Sequence, residues 1–247
     1  NIMLATEAGL GGGETPIFPI QIFRVKEGVN YNPGEPNYDL FQLAIRCSAR
    51  RLFPNFSFLD APFNLQYYKP GDYNSEVAYM GCRTRVMSNV YDPTREVTCG
   101  RGNLSFTSIN LPRIAINAHG NVEWFFEELE RKVDLVIEQL LERFKIQAAK
   151  KVRNYPFLMG QGVWLDSDKL SPDDKVGEDL KHGTLTIGFI GLAECLKALI
   201  GKHHGESKEA QNLGLEIVGY MRKRMDEESK KTGLNFSLIA TPAEGLS

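Results

Sequence analysis

The sequence contains few cysteines, and none of them has the spacing of a metal-binding or redox pair. The four residues are Cys47, Cys82, Cys99 and Cys195. A zinc ribbon or a dithiol redox motif requires a Cys-x-x-Cys pair, and the sequence has none. Both kinds of site are therefore excluded. Unpaired thiols persist in a reducing compartment, so we expect the protein to be cytoplasmic.

Long apolar runs and an excess of positive charge are also absent. No apolar stretch approaches the roughly 20 residues that a membrane-spanning helix needs, and the first residues lack the basic and then apolar pattern of a signal peptide. The formal net charge of -2 provides no basic surface to neutralise phosphates. We therefore expect neither a membrane nor a nucleic acid as a partner. The 247 residues are 42% hydrophobic and 24% charged, which is typical of a globular protein.

Segments with strand-like and helix-like patterns alternate along the chain. Strands are predicted where apolar and β-rich runs lie between turn residues, at residues 16–25, 55–59, 104–116, 182–189 and 234–240. Pro112 is expected to limit the regular part of the third strand. Amphipathic helices are predicted where apolar residues recur every three to four positions, at residues 37–52, 122–152, 190–200 and 207–230. Repeated strand-then-helix units favour an α/β fold with largely parallel strands, arranged as an open sheet or a barrel.

The ends of the sequence bear on the extent of the domain. The chain begins with Asn1 rather than methionine and stops at Ser247, shortly after a turn signal. We expect both ends to be internal to a longer protein. No low-complexity linker divides the sequence, and its 247 residues could build one large core or two small ones.

The segment at residues 79–86 contains the first candidate for a catalytic residue, Cys82. This cysteine follows a glycine in a stretch too irregular to be a packed helix or strand. A lone cysteine is more often a small buried apolar residue than a reactive one, so the pattern by itself leaves both interpretations open. Cys47 and Cys195 lie on apolar helix faces and are predicted to be core residues, and Cys99 receives no role.

Histidines and the last residues offer weaker candidates. His182 is interpreted as a hydrogen-bonding group at a strand end. His203 and His204 are interpreted as a solvated helix end, because no acidic or thiol partner has metal-ligand spacing. Thr241, followed by Pro242, has the pattern of a helix N-cap. The free N–H groups of such a helix would suit phosphates, although an ordinary capped helix has the same pattern.

Four longer blocks carry a resemblance to one enzyme family. They read MGCRTRV at residues 80–86, GRGNLSFTSINLPRIAI at 100–116, HGTLTIGFIGLAE at 182–194 and LNFSLIATPAEGLS at 234–247. Together they are similar to the anaerobic (class III) ribonucleoside-triphosphate reductases of the glycyl radical enzyme superfamily. The match extends over essentially the whole chain in the order of the family, which a single short motif would not produce.

This resemblance implies a fold and a catalytic residue. The family folds as a ten-stranded α/β barrel with a central finger loop, and the loop residue that becomes a thiyl radical corresponds to Cys82. The radical would remove hydrogen from the ribose 3′ carbon of a ribonucleoside triphosphate. The 2′ hydroxyl would then leave as water, and formate would act as reductant, so that the product is a deoxyribonucleoside triphosphate.

The resemblance also implies a set of substrate-binding residues. Met80 and Thr84 would line the finger loop, and Asn103 would face the ribose, where a neutral amide can bind hydroxyl groups. The segment that follows the last strand would bind the phosphates through Thr241, Ala243, Glu244 and Gly245. No metal ligand is implied within residues 1–247.

By this resemblance, residues 1–247 would form a single fragment of the catalytic barrel domain, and other partners and cofactors of the family would lie outside this chain. We expect a regulatory region before Asn1, and a glycyl radical motif with a four-cysteine zinc site after Ser247. Nucleotide effectors, a radical-SAM activating enzyme and a second copy in a homodimer are implied as partners of the whole protein. We therefore expect no cofactor to be bound in this fragment, and the fragment alone to be inactive.

Two alternative interpretations remain open. A glycyl-radical lyase of the pyruvate formate-lyase type shares the barrel and a loop cysteine, although the GRGN and TPAEG segments speak against it. A non-catalytic module that binds nucleotides or forms dimers would need Cys82 only as a packed residue. Substitution of Cys82 distinguishes this last interpretation from the two enzymatic ones.

Overall fold

A computed structural model describes residues 1–16, 18–80 and 84–241 of the chain, with the backbone alone for Met80. The chain divides into two compact units. The first contains residues 1–87 and 96–99, and the second contains residues 88–95 and 100–247. That residues 1–247 form one fragment of a single domain stays a prediction.

The first unit is built on two parallel strands joined by a helix. Its elements in chain order are α1 (Ile2–Ala8), β1 (Ile22–Val25), α2 (Tyr38–Arg51), β2 (Asn55–Phe58), α3 (Pro62–Leu65), β3 (Tyr79–Met80) and β4 (Thr84–Arg85). Strands β1 and β2 are parallel, whereas β3 and β4 are antiparallel. Helix α2 provides the crossover that a parallel pair requires.

Helix α2 buries the apolar stripe that its spacing predicts. Phe41, Ala44 and Cys47 are buried. The ring centroid of Phe41 lies 6.0 Å from those of both Phe23 on β1 and Phe56 on β2. The predicted helix at residues 37–52 is therefore confirmed, as is the core position of Cys47.

The strands of this unit are shorter than the apolar pattern indicates. The strand predicted at residues 55–59 is confirmed as β2, but the one predicted at residues 16–25 begins only at Ile22. Pro16 and Pro19 carry no N–H group and cannot donate to a strand ladder. The apolar composition before Ile22 therefore does not extend the strand.

The second unit contains a three-stranded sheet covered by helices. Its elements in chain order are β5 (Asn103–Asn110), α4 (Leu111–Ala118), α5 (Val122–Ala148), α6 (Gly177–Leu180), β6 (Thr184–Ile190), α7 (Leu192–Ile200), α8 (Lys208–Thr232) and β7 (Asn235–Ala240). The strand order is β5-β6-β7, and both pairs are parallel. The predicted α/β fold with parallel strands is therefore confirmed.

Alternation along β6 separates a core face from a polar face. Leu185 and Ile187 are 1% and 0% exposed and belong to one apolar cluster with residues of α4, α5, α7 and α8. Successive strand residues point to opposite faces of a sheet. Thr184, Thr186 and Gly188 therefore lie on the face of β6 that is turned away from this cluster.

The strand predicted at residues 104–116 is wrong in its second half. Strand β5 ends at Asn110, and Leu111 begins helix α4. Pro112 stands in the first turn of this helix, where its fixed φ is favourable and its missing N–H is not needed. The side chain of Asn110 accepts a hydrogen bond from Arg113 N at 3.1 Å and caps the helix.

The long helix predicted at residues 122–152 is confirmed, although it ends at Ala148. The helices and strands predicted at residues 182–189, 190–200, 207–230 and 234–240 are confirmed within a few residues. None of the helices in the described part of the chain combines the length and apolarity that a membrane span requires. The ten-stranded barrel stays a prediction.

Truncation of Leu140 on α5 should destabilise the second unit. Leu140 is 0% exposed in the main apolar cluster, so Leu140→Ala should lower the free energy of unfolding by about 2–5 kcal/mol. Leu135 on the same helix is 50% exposed, and Leu135→Ala should change it by less than about 0.5 kcal/mol. Both tryptophans, Trp124 and Trp164, lie in this unit, so denaturant titration followed by tryptophan fluorescence measures it selectively. Equal effects of the two substitutions would contradict the assigned core.

Candidate functional site

The cysteine singled out by the sequence lies between two short paired strands. In the β3-β4 pair, Tyr79 is opposite Arg85 and Met80 is opposite Thr84. The three connecting residues, Cys82 among them, are outside the described residues, as is the side chain of Met80. In sequence, Cys82 stands between the two strands of this antiparallel pair, and Thr84 is half-buried on the second strand. The roles assigned to all three residues stay predictions.

The polar face of the β5-β6-β7 sheet is the second candidate. Asn103 Oδ1 accepts hydrogen bonds from Thr184 Oγ1 at 2.7 Å and from Thr186 Oγ1 at 3.3 Å. Thr186 Oγ1 in turn lies 2.8 Å from Ser237 Oγ. The register places Thr184 opposite Asn103 and Ser237 opposite Thr186, and opposite residues share a face. A continuous hydrogen-bonded row therefore crosses all three strands.

A further hydrogen bond links the outer strands at the carboxyl end of the same face. Ser108 Oγ lies 2.6 Å from Thr241 Oγ1, and Thr241 N donates to Phe189 O at 2.9 Å. Gly188 of the central strand lies beneath both hydroxyl groups. A β-carbon at Gly188 would lie 2.6 Å from Ser108 Oγ and would overlap the Thr241 hydroxyl. This close approach requires glycine.

The structure brings two of the predicted substrate-binding residues to one face. Asn103 stands at the amino end of β5, and Thr241 follows the carboxyl end of β7. Ala243, Glu244 and Gly245 are outside the described residues. Phosphate binding by the segment that contains them stays a prediction.

A buried polar network holds the segment at residues 88–95 to the amino edge of the sheet. His182 is 2% exposed, and its Nδ1 lies 3.0 Å from Asn89 Nδ2. Asn235 Nδ2 donates to Asn89 Oδ1 at 3.2 Å and to Lys181 O at 2.9 Å. Asn235 Oδ1 accepts from Val90 N at 2.7 Å. The interpretation of His182 as a hydrogen-bonding group at a strand end is confirmed.

Burial and the charged groups on the other side of the imidazole together set its protonation. His182 Nε2 lies 3.1 Å from Arg95 Nη2 and 3.5 Å from Asp166 Oδ2, and Arg95 forms ion pairs with Asp92 and Asp166. Burial lowers the pKa of His182, and the guanidinium of Arg95 lowers it further. Hydrogen bonds from Thr94 and Arg95 lower the pKa of Asp92 to about 2. Near pH 7 the network therefore contains a neutral imidazole beside two paired carboxylates.

Asn89, Arg95 and Asn235 are the residues that the sequence analysis missed. Asn235 begins an apolar strand, and asparagine is depleted in strands. An asparagine at such a position is a signal for a buried hydrogen bond, since an unpaired buried amide is costly. Asn89 and Arg95 lie in an irregular segment that has no periodic signal, so nothing in the sequence connects them to His182.

The remaining thiols and histidines do not form a site within the described residues. Cys195 is buried, and burial raises the pKa of its thiol to about 12, which confirms its core position. Cys99 is exposed. His203 lies between α7 and α8 and accepts a hydrogen bond from Gly205 N at 3.0 Å. Within residues 1–16, 18–80 and 84–241, no three acidic, histidine or cysteine side chains are grouped to hold a metal ion.

Comparison with known proteins identifies the family. The family model for anaerobic ribonucleoside-triphosphate reductase matches residues 1–247, the whole of the chain. The chain belongs to this family. The resemblance carried by the four sequence blocks is therefore confirmed.

Curated members of the family are similar over nearly the whole chain. The anaerobic ribonucleoside-triphosphate reductase of Escherichia coli is 32% identical over 243 residues, which are 97% of this chain and 33% of the relative. The enzyme of Haemophilus influenzae is 33% identical over 242 residues, which are 96% of this chain and 33% of the relative. The chain thus spans about a third of the length of the curated relatives that it matches.

Solved structures of anaerobic ribonucleotide reductases share the fold. The enzyme of Thermotoga maritima with MES in the active site superposes with a TM-score of 0.56 at 14% identity, over 96% of this chain and 34% of the other. Its complex with dATP and CTP superposes with a TM-score of 0.54 at 16% identity, over 99% of this chain and 35% of the other. At these identities the likeness establishes the fold alone.

Substitution of Gly188 tests the packing of the polar face. Gly188→Ala should displace the Ser108 and Thr241 hydroxyl groups and lower the free energy of unfolding by about 1–3 kcal/mol. A β-carbon added at Gly219 on helix α8 would have no neighbouring atom within 4 Å, so Gly219→Ala should instead stabilise by about 0.5–1 kcal/mol. Denaturant titration followed by tryptophan fluorescence measures the free energy of unfolding of both variants. An unchanged free energy of unfolding in Gly188→Ala would contradict the close approach of the two hydroxyl groups to Gly188.

Because the imidazole of His182 is buried, we expect the free energy of unfolding to depend on pH. The unfolded chain binds a proton at His182 at higher pH than the folded chain, because the folded-state pKa is lowered. The stability contributed by neutral His182 is therefore complete above about pH 6.5 and is lost as the pH falls through the folded-state pKa. His182→Gln should flatten the decrease in unfolding free energy between pH 7 and pH 5, whereas His204→Gln, at an exposed position, should retain it. Identical pH profiles for His182→Gln and the parent protein would contradict this assignment.

Proposed function

We propose that this chain is part of the catalytic core of an anaerobic reductase that converts ribonucleoside triphosphates to deoxyribonucleoside triphosphates. The observation that carries the proposal is the family match over residues 1–247. The neutral, hydroxyl-rich and amide-rich face of the β5-β6-β7 sheet supports it, since such groups bind sugar hydroxyls without competing for protons. Because the chain spans about a third of its relatives, the activity is proposed for the whole protein.

Cys82 is proposed as the residue that removes hydrogen from the substrate. The Cys82 S–H bond would first lose its hydrogen atom to a glycyl radical elsewhere in the whole protein, which would leave a thiyl radical on Cys82. The Cys82 sulfur then takes a hydrogen atom from the ribose 3′ carbon, so that an S–H bond forms and a C–H bond breaks. The 2′ hydroxyl leaves as water after protonation, and formate supplies two electrons as it is oxidised to carbon dioxide. Return of the hydrogen atom from the Cys82 S–H bond to the ribose 3′ carbon would restore the thiyl radical. Ribonucleotide, formate and one proton thereby give deoxyribonucleotide, carbon dioxide and water.

Asn103 is proposed to bind the ribose hydroxyls. Its Oδ1 accepts hydrogen bonds from Thr184 and Thr186, which orients the amide. Within the described residues, its Nδ2 has no hydrogen-bond partner, and the side chain is exposed. An NH2 group held in this way can donate to a hydroxyl oxygen of a substrate.

The finer fold and the remaining contacts are proposed by resemblance to the family. The β5-β6-β7 sheet would be part of a ten-stranded barrel, with Cys82 on a central finger loop that Met80 and Thr84 help to shape. The phosphates would be bound by the segment after β7, through Thr241, Ala243, Glu244 and Gly245. Backbone N–H groups at the start of a helix would suit this role.

The partners are likewise proposed for the whole protein. They are a radical-SAM activating enzyme, nucleotide effectors and a second copy in a homodimer, with formate as the reductant and a zinc site near the glycyl radical. We propose that the protein works in the cytoplasm.

Substitution of Cys82 is the decisive test. The full-length protein that contains this chain should be activated without oxygen and supplied with formate and ribonucleoside triphosphates. Cys82→Ser should give no deoxynucleotide above the unactivated background, because an O–H bond is too strong to serve as the relay. Cys99→Ser, at an exposed cysteine without an assigned role, should retain the parent's rate. Chromatographic measurement of deoxynucleotides provides the readout.

The comparison requires equal folding and equal radical content in the three proteins. Circular dichroism and electron paramagnetic resonance of the glycyl radical provide these controls. Parent-like deoxynucleotide formation by Cys82→Ser would show that Cys82 is a packed residue and would overturn the proposal. An equal loss in Cys99→Ser would show that the effect is not specific to Cys82.

A further inference from the structure

We propose that Arg85 is a positioning residue, which fixes the hairpin that carries Cys82. This inference rests on the proposed function, because it concerns the same cysteine. Arg85 lies on β4, three positions after Cys82. Its side chain is held by two hydrogen bonds and two aromatic rings of the first unit.

The contacts of Arg85 use the shape of the guanidinium as well as its charge. Arg85 Nη1 donates to Phe63 O at 2.7 Å and to Asn64 Oδ1 at 2.6 Å. Its Cζ lies 5.0 Å from the ring centroid of Phe63 and 5.9 Å from that of Tyr67. Cations within about 6 Å of a ring centroid are attracted to the ring face. These contacts attach β4 to α3 and the residues that follow it.

The attachment continues from α3 to the parallel strands. Asn64 is 4% exposed, and its Nδ2 donates to Phe58 O at 2.8 Å, at the end of β2. The amide of Asn64 is thereby oriented, with its oxygen directed at Arg85. A buried amide with both ends bonded is a rigid link. Strand β4 is therefore connected to β2 through the side chains of Arg85 and Asn64.

The other strand of the hairpin is attached to the same strand, β2. Ser57 Oγ lies 3.2 Å from the hydroxyl oxygen of Tyr79 on β3, and Ser57 is 1% exposed. Both strands that flank Cys82 are therefore connected by side chains to β2. Two attachments on one support restrict both translation and rotation of a two-stranded hairpin, which is marginally stable by itself.

The rate of hydrogen-atom transfer depends strongly on the position of the Cys82 sulfur. The reacting atoms must approach to about 3–3.5 Å, and a displacement of about 1 Å can lower a rate on the order of a hundredfold. Loss of the Arg85 contacts should therefore reduce kcat. KM should change less than kcat, because Asn103 and the other proposed substrate-binding groups on the sheet are untouched and only Met80 and Thr84 lie on the hairpin itself.

The experiment compares four variants of the activated full-length protein at equal glycyl radical content. Arg85→Met keeps the side-chain length without charge or donors and should lower kcat by about 10–100-fold, with KM within about twofold of the parent. Arg85→Lys keeps the charge but not the planar fork and should be intermediate. Arg46→Met removes an arginine of the same unit that is bonded to Glu7 at an exposed position and should leave kcat unchanged. Cys82→Ser is measured in parallel.

The outcomes separate this inference from the proposed function. Wild-type kcat in Arg85→Met, a change confined to KM, or an equal loss in Arg46→Met would overturn the positioning role while inactivity of Cys82→Ser leaves the function in place. Full turnover by Cys82→Ser would overturn both. If Arg85→Met fails to fold, Arg85→Lys decides: a reduced kcat at unchanged KM supports the inference, and a wild-type kcat contradicts it.

Discussion

The parallel pairing of β6 between β5 and β7 determines both the core and the candidate site of the second unit. Leu185 and Ile187 enter the apolar cluster, while Thr184 and Thr186 lie on the other face and bond to Asn103. A shift of the register by one residue would exchange these faces, and would place hydroxyl groups in the core. The burial of apolar side chains under the helices therefore keeps the polar row in place on the opposite face.

The amino edge of the same sheet shows how a polar loop can be held firmly. Buried amides and an imidazole are costly without partners, and here they partner one another, with Asn89 between His182 and Asn235. Such a network specifies one arrangement, because each donor has a particular acceptor. The segment at residues 88–95 has no regular secondary structure but is defined by these bonds. Arg101 adds to this edge by donating to His182 O and to Ser88 O.

Periodicity was sufficient to predict most elements, because each long helix and buried strand has an apolar face. It failed where local chemistry outweighed composition. Pro112 continues an apolar run but starts a helix, since Asn110 caps that helix. In the candidate site, Asn103 was found only through the family resemblance, and Asn89 was not found at all. Hydrogen bonds between residues distant in sequence, such as Asn89 and Asn235, produce no periodic pattern from which they could be predicted.

The three strands of the sheet contain no acidic, basic, histidine, cysteine or tyrosine residue. The face that carries Asn103 would offer a ribose neutral donors and acceptors beside the apolar ring of Phe106, which lies opposite Thr186 and is 58% exposed. None of these groups takes up or releases protons near pH 7. The charge of a triphosphate would therefore find no counterion within the strands and would have to be bound beyond their ends. Thr241 marks one such end, directly after β7. The absence of ionisable side chains follows from the strand sequences alone. Under the proposed function it would suit radical chemistry, since neutral surroundings would not assist unwanted ionic reactions of the sugar.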